Sequence, residues 1–549
     1  MVTGDKRNDR KMLLGSRVKN GNKKIGQIIL WIYFVIMTMI YPYYAPGGYL
    51  RIGEAKYLFF RNVTLTVVAI MFVVVICALI RRPGYIVNYY HGMSVTDWFA
   101  YGYFVAVMLS YLCSSYKEEA LWGADGWHMG AVMQMAFVLL YFFFSRYFVY
   151  DSGWLAVWLA GSAGVFLLGI LNRYSIYPFV MEGQTPVFIS TLGNINWFCG
   201  YWSVTAPVGM VLYWCSEKSW HRLLAGCYSF VAMLVGVVQG SESAYLVFAA
   251  ICAVLLLFSI HNVRRLYRWA ELCMIWLAAC QFGRLLRYVP GLRMNYGSAI
   301  NGGSPSVMEK LTDTNITLWI LCVVLAGYAT ARLWSGRKRK DSAESGKMQN
   351  LLTDGCKRSI GAVTAVILLG AGVFAVFHSG SLLYEGRDTD GFVQANGRVM
   401  IFNEDWGNGR GVAWNCSIEA YQGLDILHKI VGVGPDCFAA HIYKEPALSE
   451  RLAEEFAEER LTNAHNEGLS ILINLGALGF LCYVGFVGSM LARCCKKAYG
   501  QILLYACAAG ILSYTVHNVV SFQQVLNTPY FFILLGIGEG LLRGNKERT

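Results

Sequence analysis

Long continuous apolar stretches dominate the chain, separated by shorter polar ones, and inside the stretches polar residues do not recur at every second position. The segment Val68 to Ile80 (VAIMFVVVICALI) is apolar throughout. A transmembrane barrel strand would alternate lipid-facing and lumen-facing residues, so these runs predict helices. Roughly 20 helical residues cross the hydrocarbon core of a bilayer. Fourteen such segments can be drawn, approximately 27–44, 62–80, 97–113, 129–149, 153–172, 196–215, 223–239, 244–260, 269–286, 316–333, 360–377, 468–491, 502–522 and 529–542. The predicted fold class is all-α, a polytopic transmembrane helix bundle of 12–14 spans with one large extracytoplasmic loop.

Composition agrees with this pattern. Of 549 residues, 56% are hydrophobic and only 15% charged, which excludes a soluble enzyme, a disordered chain and a secreted disulfide scaffold. The net charge of +12 does not call for nucleic acid, because in a polytopic protein basic residues sort by side. With the basic segment 1–25 inside, the alternating segments on that side hold 30 of the 46 Lys and Arg. Both termini are therefore expected in the cytoplasm, with the first span an uncleaved anchor in a bacterial cytoplasmic membrane. Most of the 16 cysteines fall in apolar segments, where Cys behaves as a small hydrophobe. Cys416 and Cys437 share the large outer loop, which leaves a disulfide open.

Four regions follow: a basic N-terminus (1–25), a bundle of about eleven spans (26–377) with a Lys/Ser/Gly-rich cytoplasmic linker (334–359), an outer loop (378–465), and about three C-terminal spans (466–549). From His378 to His465 the outer connection runs 88 residues, too long for a simple turn, and it is the expected seat of chemistry. No internal repeat of the transporter kind is evident.

That loop carries three motifs in order: WGNGRGVAW (Trp406 to Trp414), IVGVGPDCF (Ile430 to Phe438) and AHNEGLSILINLGALGFL (Ala464 to Leu481). An Arg beside an aromatic, a GxGPxxF box, and His-Asn entering an apolar helix resemble, in that order, the O-antigen ligase and polymerase family. The motifs cover about 75 residues, and the rest of the chain supports the resemblance through topology. It implies a fold like the glycosyltransferase-C class and transfer of a saccharide from a polyprenyl-diphosphate carrier to an acceptor hydroxyl at the outer membrane face. Two departures stand out. Where family members carry an Arg in a mid-chain turn, this chain has QGSESAYL (Gln239 to Leu246), so any role of that Arg is absent or supplied elsewhere, with Arg173 or Arg284 as substitutes. After His-Asn, an aromatic is common in the family, and here Gly468 follows Glu467.

The residues carry a chemical reading of their own. A leaving diphosphate needs cations, and the planar five-donor guanidinium of Arg410 suits phosphate oxygens, although an exposed loop Arg paired with Glu404 or Asp405 is the plain alternative. Imidazole is the side chain whose unperturbed pKa lies near neutrality, which makes His465 the candidate base. A lone interfacial His is more often structural; the His-Asn box favours function. Asn466 is expected to hold the start of the following helix and orient His465. Gly432, Gly434 and Pro435 predict a tight turn bending the loop back over the membrane. Asp436 is either a turn residue or an acceptor-hydroxyl ligand, and Arg398 is a further substrate-binding candidate. The first outer loop offers only Glu54, short of a DxD pair, so no metal and no cofactor are expected. The predicted partners are a polyprenyl-diphosphate-linked glycan, a glycan or cell-envelope acceptor, and membrane lipid. Ligase and polymerase stay undivided. A lipid-linked oligosaccharide flippase is the alternative, disfavoured because the spans lack the charges a central polar cavity needs.

Overall fold

The computed structural model describes residues 23–81, 92–260, 262–292, 312, 315–341, 409–456, 460–497 and 501–546. These residues are mostly helical. The described strands are one two-residue antiparallel pair, Phe188–Ile189 with Gly193–Asn194. Every predicted apolar segment within the described residues coincides with a helix, while 360–377 lies outside them together with Arg398, Glu404 and Asp405. Among the described residues, five helices are long and apolar enough to cross a membrane: Lys23–Tyr43, Ile52–Ile80, Ser152–Arg173, Ser219–Val238 and Glu467–Lys497. Others are apolar but shorter, such as Ala131–Tyr147 and Ile502–His517.

The bundle helices, in chain order, are α1 (Lys23–Tyr43), α2 (Ile52–Arg81), α3 (Val95–Cys113), the short α4 (Lys117–Trp122), α5 (Ala131–Tyr147), α6 (Ser152–Arg173), α7 (Ile195–Cys215), α8 (Ser219–Val238), α9 (Ser243–Ser259), α10 (Val263–Leu286) and α11 (Ile316–Asp341). Four short helices then form a cap: α12 (Arg410–Gly423), α13 (Ile426–Val431), α14 (Phe438–Ile442) and α15 (Pro446–Phe456). The chain returns to the bundle in α16 (Glu467–Lys497), α17 (Ile502–His517) and α18 (Thr528–Lys546). The last three pack on early helices, α16 along α3, α17 along α7 and α18 along α5, which closes the bundle.

Two apolar clusters divide the described residues. The larger is the bundle interior. The smaller joins Val412, Cys416, Phe438 and Leu452 of the cap to Ile473 of α16, so the second half of the predicted outer loop has its own core and sits on that helix. Cys416 and Cys437 are both buried within it and are not joined in a disulfide.

Helices in lipid gain little from burying apolar surface against one another, so packing and buried hydrogen bonds worth about 0.6 kcal/mol each must fasten them. At the end of the bundle away from the cap, the buried Asp97 carboxylate accepts from Tyr141 Oη at 2.9 Å and pairs with Arg146 and Arg543. Arg493 binds the buried Glu539 and donates to Ser94 Oγ at 3.0 Å and Thr96 Oγ1 at 2.9 Å. Helices α3, α5, α16 and α18 are thereby tied together. Near the cap, the Glu467 carboxylate accepts from Asn518 Nδ2 and Gln523 Nε2, each at 2.6 Å, and from Tyr483 Oη at 2.5 Å. Gln523 accepts in turn from Gln134 Nε2 at 2.9 Å, linking α16 to α5 and to the segment before α18.

Candidate functional site

The cap joins the bundle through a break in α16. At Gly476 the backbone leaves the helical region with φ 66° and ψ −174°, freeing carbonyls upstream. The Ile473 and Asn474 carbonyls accept from the N–H groups of Val433 and Gly434 at 3.0 and 3.1 Å, and Asn474 O accepts from Ser110 Oγ at 2.6 Å. The GVGP turn is therefore a backbone plug for the broken helix, giving its freed carbonyls the partners that buried backbone groups require. Both Gly432 (φ 80°) and Gly434 (φ 133°) lie where L side chains are strained. Asp436 follows Pro435 with φ 61°, and its Oδ2 accepts from Ala124 N and Met129 N, both at 2.8 Å. Burial pushes its pKa up to about 7 despite those two donors. Its carboxylate clamps the turn before α5.

Cap and bundle residues together line a partly open cavity of about 470 Å³. Arg410 and His465 line it together, although 55 residues separate them in sequence. Arg410 opens α12, preceded by Gly409 with φ 80°; a Cβ there would stand 2.7 Å from Glu455 Oε1, so the glycine lets α15 press against this start. His465 holds φ 46°, unusual for a residue with a side chain, and its N–H donates to Asn463 Oδ1 at 2.9 Å. The His465 ring stands edge-on to Phe522, centroids 5.3 Å apart, and among the described residues it has no hydrogen-bond partner. Burial, and then the positive charge of Arg410, lower its pKa to about 3. The ring is neutral across the physiological range. Burial also lowers the pKa of Arg410, opposed by the charge of Glu242 and by Tyr245.

Asn466 is beside the cavity wall. Its Oδ1 accepts from Leu469 N at 2.9 Å, capping α16, and its Nδ2 donates to Val519 O at 2.9 Å. The residue that fixes the His465 backbone is Asn463, two positions earlier. Arg173 is fully buried away from the cavity, where it donates to Val238 O at 2.7 Å, Pro186 O at 3.0 Å and Gln239 O. It caps the C-terminus of α8, where cations are favoured. Arg284 donates to Asn315 Oδ1 at 2.7 Å, tying α10 to the segment before α11, and does not line the cavity. Neither arginine lines the cavity, although Arg173 reaches Gln239 O at the start of the turn that lacks the Arg. Asp436 likewise stands on the turn clamp and outside the cavity wall.

Sequence reasoning offered none of Ser241, Ser243, Asn196, Gln524, Arg460 or His517 as a site residue. The turn that lacks the Arg instead feeds a hydrogen-bonded chain: His517 Nδ1 lies 3.0 Å from Ser243 Oγ, Ser243 Oγ lies 2.9 Å from Ser241 Oγ, and Ser241 donates to Asn196 Oδ1 at 2.7 Å. Asn196, Gln524 and Arg460 line the cavity. The spacing TNAHNE around Asn463 was the one local signal, since two polar residues flanking a His suggest a held backbone. Among the described residues, no three His, Cys, Asp or Glu side chains converge as metal ligands would.

Compared with known proteins, the chain matches no family model and no curated protein.

Proposed function

We propose that this protein is a membrane glycosyltransferase that moves a saccharide from a polyprenyl-diphosphate carrier to an acceptor hydroxyl at the outer face of the cytoplasmic membrane, in the manner of the O-antigen ligases and polymerases. The observation that supports it is the meeting of Arg410 and His465 in one cavity between cap and apolar bundle. With cap and cavity outside and both termini inside, the site faces the leaflet in which a flipped lipid-linked glycan resides.

Neutral His465 takes the proton of the acceptor hydroxyl; the oxygen attacks the anomeric carbon, the bond from that carbon to the phosphate oxygen breaks, and polyprenyl diphosphate departs with the bonding pair. Arg410 offsets the charge that develops on it. An imidazole with a pKa of about 3 is a weak base, and the donor itself corrects this. A bound diphosphate places negative charge between Arg410 and His465, cancels the field that lowers the imidazole pKa, and so strengthens the base only when the leaving group is in place.

The test is a transfer assay. Purified protein in detergent, given a polyprenyl-diphosphate glycan and acceptors, should release free polyprenyl diphosphate. A flippase would translocate the lipid with its linkage intact, and that outcome would overturn the reading.

A further inference from the structure

We propose that the aromatic wall of the cavity is a pyranose subsite, in which the sugar next to the diphosphate stacks on Trp127 and Trp197 and receives hydrogen bonds from the amides of Asn194 and Asn196. The inference rests on reading the cavity as the donor site.

Trp127 and Trp197 line the cavity with centroids 5.1 Å apart and planes at 86°, forming an indole corner. Each ring is braced from behind or beside: Trp127 by Phe522 at 4.8 Å and 89°, Trp197 by Phe188 at 6.0 Å and 85°. Edge-to-face contacts of this kind fix ring positions. The backbone under Trp127 is fixed as well, because the Asp436 carboxylate takes the N–H groups of Ala124 and Met129 on either side of it. A preformed aromatic corner of this rigidity costs little entropy on binding.

The polar partners have the right sense. Asn194 Oδ1 accepts from Asn196 N at 2.8 Å, capping α7, and Asn196 Oδ1 accepts the Ser241 hydroxyl at 2.7 Å. Both amide oxygens are thus used, and among the described residues neither amide NH₂ has an acceptor. Two N–H donors beside an aromatic face match a pyranose, whose axial C–H face is apolar and whose rim presents hydroxyl or acetamido oxygens. The described lining residues include Arg410 and Arg460 and no carboxylate, so the same cavity favours an anionic carrier. Its volume, about 470 Å³, falls within the range of roughly 300–1,000 Å³ usual for small-ligand sites.

The experiment measures affinities of the full chain in nanodiscs for bare undecaprenyl diphosphate and for undecaprenyl diphosphate carrying one N-acetylglucosamine or one glucose. At least one glycosylated lipid should bind about tenfold tighter than the bare one, the gain expected from one stacking contact with hydrogen bonds. Trp127→Ala and Trp197→Ala should each reduce that ratio to within about twofold of unity while leaving bare-diphosphate affinity unchanged, and Trp197→Tyr, which keeps a ring, should retain part of it. Equal affinity for bare and both glycosylated lipids in the wild type, or a ratio that survives both alanine variants, would overturn the subsite. A failure of the donor-site reading looks different: bare undecaprenyl diphosphate would not bind, or its affinity would ignore Arg410→Ala.

Discussion

Gly432 of the cap and Gly476 in the middle of α16 lie backbone against backbone: a Cβ on Gly476 would fall 2.6 Å from Gly432 N and 2.3 Å from Ile430 O, and a Cβ on Gly432 would fall 2.2 Å from Asn474 O. Both residues also hold positive φ, so a side chain at either would face a steric clash with backbone and an unfavourable conformation at once. Gly432→Ala and Gly476→Ala should each separate the cap from α16 at a cost of several kcal/mol, the scale of strain plus lost backbone hydrogen bonds. Limited proteolysis should show faster cleavage within residues 410–461 in both variants. Equal protection to wild type would mean that the joint does not hold the cap.

Replacing His465 tests the base, provided the backbone is respected. At φ 46° alanine adds strain that asparagine tolerates, so His465→Asn is the cleaner variant. Transfer should fall by about 10²- to 10⁴-fold with expression and thermal stability near wild type. Activity within about threefold of wild type would remove His465 from the chemistry.

Arg410 can be dissected by its geometry. If it grips the diphosphate through paired N–H donors, lysine supplies charge without the fork, so Arg410→Lys should retain well below half of wild-type transfer and Arg410→Ala almost none. The same alanine variant should raise the His465 pKa toward its ordinary value, because one of the two causes that lower it is gone. Imidazole ¹⁵N shifts followed against pH would record the change. A His465 titration that ignores Arg410 would show that burial alone sets it.

The cap should weaken as pH rises. Asp436 has a folded-state pKa of about 7, raised from 3.8 by burial, so it binds a proton more tightly folded than unfolded. Its contribution is fully present below about pH 4 and is lost as pH climbs to about 7, on the order of a few kcal/mol in all. Asp436→Asn keeps an oxygen that accepts from Ala124 and Met129 and has no proton to lose. That variant should flatten the dependence of cap protection on pH between about 4 and 7. An unchanged slope would assign it to another group.

Sidedness follows from charge. A cysteine probe at position 440, in the cap, should be labelled from outside intact cells, and one at position 345 only after permeabilisation. Labelling of both from one side would move the cavity to the wrong leaflet for the proposed donor.

Chain-level patterning determined the helical class and the place of the described bundle helices other than the short α4, because an apolar run long enough to cross a bilayer has few other ways to satisfy its backbone. Local chemistry determined the tight GVGP turn, since two glycines and a proline at that spacing restrict the backbone whatever surrounds them, and Asn466 as a helix cap, since capping is decided within four residues. Only tertiary structure decided what the local rules leave open. Arg173 reads in sequence as a substitute for the missing Arg, and only the fold shows it capping α8, because the Val238 carbonyl comes from 65 positions away. Asp436 reads in sequence as either a turn residue or an acceptor ligand, and the structure sets its carboxylate on the backbone of the segment between α4 and α5. Nothing in sequence pointed to Asn194, Asn196, Trp127 and Trp197 as site residues; they converge because α7, the turn before α5 and the cap meet above the break in α16. A contact between distant segments depends on helix packing across the whole bundle, and no window of sequence contains that information.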